Sequence, residues 1–292
     1  MSRVQETGLV VLSALMVYPI KSAGGFSLTR ARLEPRGLEH DRRWMVVKSD
    51  GHLATQREFP EMSLIRVSLT PGTDQDHVLL VEAPGMPPLP VPRVPEGPAV
   101  QTRVWDDAVT GVVVSRAASD WFGRFLAPGC DLLYMPDSAK RAQTGKPFSS
   151  LLSFADGNPF HLVGEASVAE LNAQLTRRVG PETFRPNLVV SGAAPYDEDF
   201  WRRISVGPLE FLVVESTARC SVLNVSYDQF RATAQAGAEP LRTLARTRRR
   251  GQSVIFGQNM LQGPALFRPG SSLEVGWPVT VLERADVPNP TY

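Results

Sequence analysis

The chain has 292 residues, 42% of them hydrophobic and 21% charged, which is enough for one large or two ordinary domains with a proper core and excludes a disordered chain. A formal net charge of +1 excludes a global basic field for nucleic acid, so any basic feature is local. Two cysteines, Cys130 and Cys220, are too few for a disulfide framework, and four scattered histidines give no zinc-ligand spacing.

The run GLVVLSALMVYPI (8–20) follows Arg3 in the outline of a secretory signal. It is too short to span a bilayer and reaches Lys21 without a small-x-small cleavage pattern, so it reads as a buried strand of a cytoplasmic protein. FSLTRARLEP (26–35) alternates, with Phe26, Leu28 and Arg30 on one face. WMVVK (44–48) and HLATQ (52–56) flank Ser49-Asp50-Gly51, where Asp-Gly suits a tight hairpin turn. MSLIRVSLT (62–70), HVLLVE (77–82), TRVW (102–105) and TGVVVSR (110–116) complete a set of short antiparallel strands, with a second hairpin around Trp105-Asp106-Asp107-Ala108. This spacing predicts a barrel or sandwich. Prolines crowd residues 84–98, predicting a stiff surface loop.

SDWFGRFL (119–126) reads as a short helix and residues 139–150 as a polar connector. Ser167 and Glu170 form a capping-box pattern, with Val168, Leu171 and Leu175 on one face and Gly180 as the stop. Residues 183–192, 205–216, 219–226 and 271–283 read as strands, and PLRTLARTRRRG (240–251) as a helix with an arginine face. The class is mainly β with a few helices (α+β), without repeats or a membrane span.

Several short motifs carry chemistry. Cys220 lies just past a strand end, behind Arg219; a thiolate suits a soft or high-valent metal, and the arginine favours the ionised form. A lone cysteine is also a common buried hydrophobe, and both readings stay open. Lys21-Ser22 before Gly24-Gly25 offers a cation, a hydroxyl and turn amides to a phosphate, though not in P-loop order. HDRRW (40–44) sends one arginine to the interior, where it needs an anion, with Asp41 as a candidate partner. Arg185-Pro186-Asn187 sets a guanidinium fork beside an amide able to read a heterocycle edge. The helix after Ser167 turns its free N–H groups towards FADGNP (154–159), a possible anion site containing Asp156 and Asn158.

Together YPIKS (18–22), GLEHDRRWMVV (37–47), NPFHLVGEASVAELN (158–172), FRPNLVVSG (184–192), ARC (218–220), FGQNM (256–260) and LEVGWPVTVL (273–282) resemble the MOSC family, in the two-part form of the amidoxime-reducing proteins. The resemblance implies an N-terminal β-barrel-like domain over 8–125 and a MOSC β-barrel domain over 126–286. It implies a molybdenum-molybdopterin cofactor (Mo cofactor) with Cys220 as metal ligand and catalytic residue. Lys21, Ser22, Arg42, Asp156, Asn158, Arg185, Asn187 and Arg219 are then cofactor-binding residues. The implied activity is reduction of small N-hydroxylated compounds such as amidoximes, hydroxylamines and N-hydroxylated bases. Two features depart from the pattern. The run after Cys220 is Ser221-Val222-Leu223-Asn224-Val225-Ser226 rather than Thr-Thr-Val-Asp-like. No C-terminal cysteine cluster is present, so electrons are expected from a separate electron-donor protein. The alternative is a molybdopterin- or sulfur-carrying module without N-reductase turnover. Nucleic-acid binding through Arg242, Arg246, Arg248, Arg249 and Arg250 is disfavoured, because no aromatics interleave them, and no membrane association is expected.

Overall fold

The computed structural model describes residues 9–70, 76–142, 150–227, 232–234, 239–263 and 270–291. Its centre is a nine-stranded sheet. In spatial order it runs Phe26–Leu28, Val11–Val17, Leu188–Ser191, Phe160–Gly164, Ser253–Gln262, Leu209–Ala218, Trp201–Val206 and Val279–Arg284, with Arg249–Arg250 paired alongside Ser253–Gln262. The expected mainly β architecture with a few helices is what the chain forms. The first strand lies one in from the sheet edge, hydrogen-bonded to Leu188–Ser191 from far along the sequence. Phe160–Gly164 and Leu188–Ser191 run parallel, joined through helix α2 (Glu165–Asn172), as a parallel pair requires a crossover. Among the described residues, no helix is long and apolar enough to cross a membrane.

Alternation explains most of the large sheet, and bulges explain the rest. Leu209, Phe211 and Val213 are buried while the residues between them are partly exposed, the period of a strand with one face on a core. In Val11–Val17 the buried residues Leu12 and Leu15 are three apart, which strict alternation forbids. The register slips between Leu12 and Ala14 against Val190 and Val189, so a bulge returns Leu15 to the core face. Phe160 and Phe211 meet edge to face at 5.3 Å in this core.

A second core joins the smaller sheets Arg66–Leu69/His77–Glu82/Leu89–Pro92 and Trp44–Val47/Asp131–Tyr134/Asp107–Val113/Ala99–Val104 to helix α1 (Arg116–Phe125). The side chain of Ser115 caps α1 by accepting from the Ala118 N–H at 3.2 Å. Both expected hairpin turns form: Gly51 takes φ +79, and Val104 pairs with Asp107 across Trp105-Asp106. Cys130 is buried in this core, which is the structural role open to a cysteine.

Tertiary context overrode the local reading at several points. Residues 26–35 break at Thr29 into two strands, Phe26–Leu28 and Arg30–Glu34, in different sheets. Residues 52–56 supply only a bridge at Leu53, and 60–64 turn as a 3-10 helix before the strand Arg66–Leu69. The proline-rich stretch holds the strand Leu89–Pro92, with Leu89 and Val91 buried. Of the connector, 143–149 lie outside the described residues.

Ser167 is not a helix cap. Helix α2 starts at Glu165, and the carboxylate of buried Glu198 accepts from the Gly164 N–H at 3.2 Å and from the Ser167 hydroxyl at 2.7 Å. A remote acid thus does what the capping box was expected to do, and it meets the N-terminal end expected to face FADGNP. The helix ends at Asn172, whose side chain bonds both the N–H and the carbonyl of Val179 at 2.8 Å. The arginine helix shortens to α3 (Leu241–Thr247), because Arg248 and Arg250 leave it to pair with the buried carboxylate of Asp199, at 2.5 and 2.8 Å.

Candidate functional site

The cleft is assembled from strand ends. A parallel bridge between Ile20 and Trp44, with the Lys21 N–H on the Trp44 carbonyl at 2.8 Å, carries Lys21 into the interior between the two cores. Its ammonium donates to the Phe154 carbonyl at 2.9 Å and to Asp156 Oδ1 at 2.5 Å. Burial pulls the Lys21 pKa below its ordinary value, and Asp156 opposes that. Arg42 pairs with Asp41 through both carboxylate oxygens and donates to the Arg185 carbonyl at 3.0 Å. The interior arginine is its neighbour Arg43, buried and bound to Glu34, Asp137 and the Tyr134 hydroxyl. Asp41 therefore serves Arg42.

Arg42 and Arg185 both lie over the Tyr18 ring, at 4.5 and 4.3 Å from its centroid. Burial pushes the Tyr18 hydroxyl up to about 12, against the two positive charges. Arg185 sits after a 3-10 turn, Pro181–Phe184, so the strand expected over 183–192 begins only at Leu188. Its guanidinium donates to the Ala23 carbonyl at 2.6 Å. Arg219 donates to the Phe184 carbonyl at 3.0 Å, and its Nε is buried without a partner. Among the described residues neither Arg185 nor Arg219 makes an ion pair. Burial lowers both to about 10, so both are cations at neutral pH. Asn187 is largely spent on structure: its side chain accepts from the His161 N–H and donates to the Met16 carbonyl, both at 3.2 Å.

Cys220 is free and exposed, at the start of a 3-10 turn, Ser221–Asn224. The strand expected over 219–226 is thus only Val225–Tyr227, and the turn presents the thiol at the cleft. All nine residues singled out by the sequence line one cleft of about 350 Å³: Cys220, Lys21, Ser22, Arg42, Asp156, Asn158, Arg185, Asn187 and Arg219. The Gly24 amide is not available to an anion, because it donates to the Ile65 carbonyl at 2.9 Å.

The sequence reading missed Glu215, His161, Asn259 and Trp105, which line the same cleft. Alternation alone places Glu215 beside Val213 in the core. The register slips between them, Val213 opposing Met260 and Glu215 opposing Asn259, and this bulge swings the carboxylate to the cleft face. There it accepts from the side chains of Asn158 at 2.5 Å and Asn259 at 2.8 Å. The available signal was an acid at an alternation position that should be apolar. His161 is buried beside Gly257, and burial, helped by the charges of Arg219 and Arg42, holds its pKa well below the ordinary value, so the ring is neutral. Trp105 donates its indole N–H to Asp156 at 3.0 Å, with Lys21 and Arg57 at 5.7 and 5.3 Å from its ring centroid.

Backbone strain gathers here. Of the six described non-glycine residues with positive φ, Ser22, Arg42, Trp105 and Arg185 line this cleft. Such conformations cost free energy and concentrate where function needs a side chain aimed.

Family models match the chain twice, as a MOSC N-terminal beta barrel domain over residues 9–128 and as a MOSC domain over residues 150–280. The chain belongs to the MOSC family. The rat protein named mitochondrial amidoxime reducing component 2 is 33% identical over 297 residues, covering 95% of this MOSC chain and 84% of the rat protein. The mouse mitochondrial amidoxime-reducing component 1 is 32% identical, covering 96% and 84%. The molybdenum cofactor sulfurase of Arabidopsis thaliana is 31% identical over 84% of this chain, but over only 32% of its own length. This MOSC protein is therefore related along nearly its whole length to proteins named for amidoxime reduction, and to part of proteins named for molybdenum cofactor sulfuration.

Proposed function

We propose that the cleft binds a molybdenum-molybdopterin cofactor and that the protein is a reductase of small N-hydroxylated compounds. The observation that carries this reading is the convergence of Arg185 and Arg219, cations without a carboxylate partner among the described residues, with Lys21, Arg42 and an exposed thiol. Cations desolvated in this way cost free energy that a phosphate recovers. The donor set fits the group too. Among the described residues no cluster of three or more His, Cys, Asp or Glu side chains is placed to hold a metal, so a metal beside Cys220 suits a carrier that brings its own sulfur ligands.

In this reading Cys220 is the protein's metal ligand. Lys21, Ser22, Arg42 and Arg185 hold the phosphate, and Asn158, Asn187 and Arg219 border the pterin. When bound, the group supplies the two-electron redox couple. The chain's own part is placement and charge. Arg219 balances the thiolate, the neutral imidazole of His161 adds no further positive charge, and Asp156 holds Lys21 in position. The overall change breaks the N–O bond of R–NH–OH and takes up two electrons and two protons, giving R–NH2 and water. The electrons come from a separate electron-donor protein, and we place the reaction in the cytoplasm.

Measurement of molybdenum content and of amidoxime reduction with an artificial electron donor tests the proposal. A metal-replete protein without turnover would favour the second reading, a molybdopterin- or sulfur-carrying module. The exposed thiol of Cys220 and the cofactor sulfurase relatives are what favour that alternative.

A further inference from the structure

A second, larger cavity of about 840 Å³ adjoins the cleft, and the two share Gln56, Thr183, Arg185, Val222 and Leu223. Both volumes fall in the range that accommodates one organic molecule, about 300–1,000 Å³. Their linings differ. The cleft holds four cations that the chamber lacks, Lys21, Arg42, Arg57 and Arg219, beside the carboxylates of Asp156 and Glu215. The larger chamber is walled by Met16, Leu64, Ala83, Pro84, Met86 and Val225. Its Arg66 faces Glu82 across paired strands, and Glu182 adds a further carboxylate, so positive charge is offset rather than concentrated. Both linings mix polar and apolar groups, but the chamber adds a run of thioether and aliphatic walls beside the cleft, and the two meet two residues past Cys220, which suits two different molecules.

Close packing keeps the chamber's wall in place. A Cβ on Gly25 would meet the Tyr18 ring at 2.4 Å, and one on Gly24 would meet the Ile65 carbonyl oxygen at 2.5 Å. The two glycines after Lys21-Ser22 therefore let Tyr18 and the Pro60–Leu64 turn approach the chain closely.

We propose that this chamber receives the apolar body of an organic substrate, with the N-hydroxyl end directed past Thr183 and Val222 towards Cys220. This inference rests on the reductase reading above. Thioether and aliphatic walls accept varied aromatic or aliphatic bodies, because methionine adapts its shape. Binding energy gained there is remote from the reacting bond and belongs to organic substrates, whereas hydroxylamine, with two heavy atoms, has no body to place.

Met86 closes a turn from Ala83, with Gly85 at φ +73, and Ser63 lies on the turn opposite; both are partly exposed. Met86→Trp and Ser63→Tyr fill the chamber without touching the cleft. The test compares benzamidoxime with hydroxylamine on the metal-loaded full chain, and benzamidoxime binding by calorimetry on the metal-free full chain. In at least one variant, KM and Kd for benzamidoxime should rise about tenfold while KM for hydroxylamine stays within about twofold. Equal effects on both substrates, or benzamidoxime KM and Kd changing less than twofold in both variants, overturn the chamber assignment. Reduction of neither compound by the loaded wild type overturns the reductase reading instead. In that case the binding arm still decides the chamber: weakened benzamidoxime binding in the filled variants supports it, and unchanged binding sinks it.

Discussion

Replacing Arg185 by methionine separates binding from stability. In the free protein the guanidinium and that of Arg42 both lie over Tyr18, no more than about 9 Å apart by the two ring distances, and like charges within that separation repel by at least about 2 kcal/mol at an effective dielectric of 20. Asp41 offsets part of this through its pairing with Arg42. Against the relief stand one hydrogen bond to the Ala23 carbonyl and the cation–π attraction to Tyr18, about 1 kcal/mol each. Methionine keeps the apolar stacking and tolerates φ +56 no worse than arginine does. The fold should therefore change in stability by no more than about 1 kcal/mol. Cofactor binding should suffer far more, because a charge-assisted bond to phosphate contributes about 1.5–3 kcal/mol, or roughly 10- to 150-fold in affinity. Molybdenum and pterin per chain, measured beside the calorimetric Tm of metal-free protein, read the two effects apart. Full occupancy in Arg185→Met, or a loss of occupancy matched by a large fall in Tm, would refute the assignment of Arg185 to the phosphate.

Three further outcomes are expected. Cys220→Ser should abolish amidoxime reduction and alter or remove the metal while leaving Tm unchanged, since the exposed thiol contributes nothing to a core; retained turnover would exclude Cys220 as ligand. Glu198→Gln should flatten the pH dependence of stability. Burial raises the Glu198 pKa above its ordinary value, so the contribution of this one group to wild-type stability is fully present below the ordinary carboxyl pKa and is lost as pH rises through the folded pKa. The Tm difference, variant minus wild type, should grow from pH 4 to 8, and a constant difference would count against burial raising the pKa of that carboxyl. Gly257→Ala should cost at least about 2 kcal/mol, because φ is +76 and the new Cβ would lie 2.4 Å from His161 Nε2 and 2.7 Å from the Leu162 carbonyl oxygen; denaturant unfolding measures it.

What the sequence made legible was whatever depends on nearest neighbours. Turn chemistry at Asp50-Gly51, alternation in Leu209–Val213 and the residue types at strand ends needed no partner to be read. The nine residues that line the cleft could be singled out because short motifs keep strand ends and their polar side chains together. What was hidden depends on distant groups. The capping of α2 by Glu198, the capture of Arg248 and Arg250 by Asp199, and the aim of Glu215 each need a partner or a register slip far away in sequence. The basic helix illustrates the limit: a one-sided arginine pattern looks like a docking face until a buried carboxylate claims two of its members.

The strained backbone links the hidden and the legible parts. Ser22, Arg42, Trp105 and Arg185 lie far apart in the chain, yet each takes a left-handed conformation that ordinary side chains avoid, at about 1 kcal/mol or more apiece. Packing alone gives no reason to gather that strain around one opening, since glycine or asparagine at those positions would remove most of it. The bulge at Glu215 likewise aims a polar group into the cleft, where its carboxylate accepts from the side-chain amides of Asn158 and Asn259. Pointing polar groups into one cleft at a cost of several kcal/mol, out of a stability of about 5–15 kcal/mol, is what the cofactor-binding reading proposed above accounts for. In that reading Arg185 and Arg219, which have no carboxylate partner among the described residues, call for a ligand of negative charge.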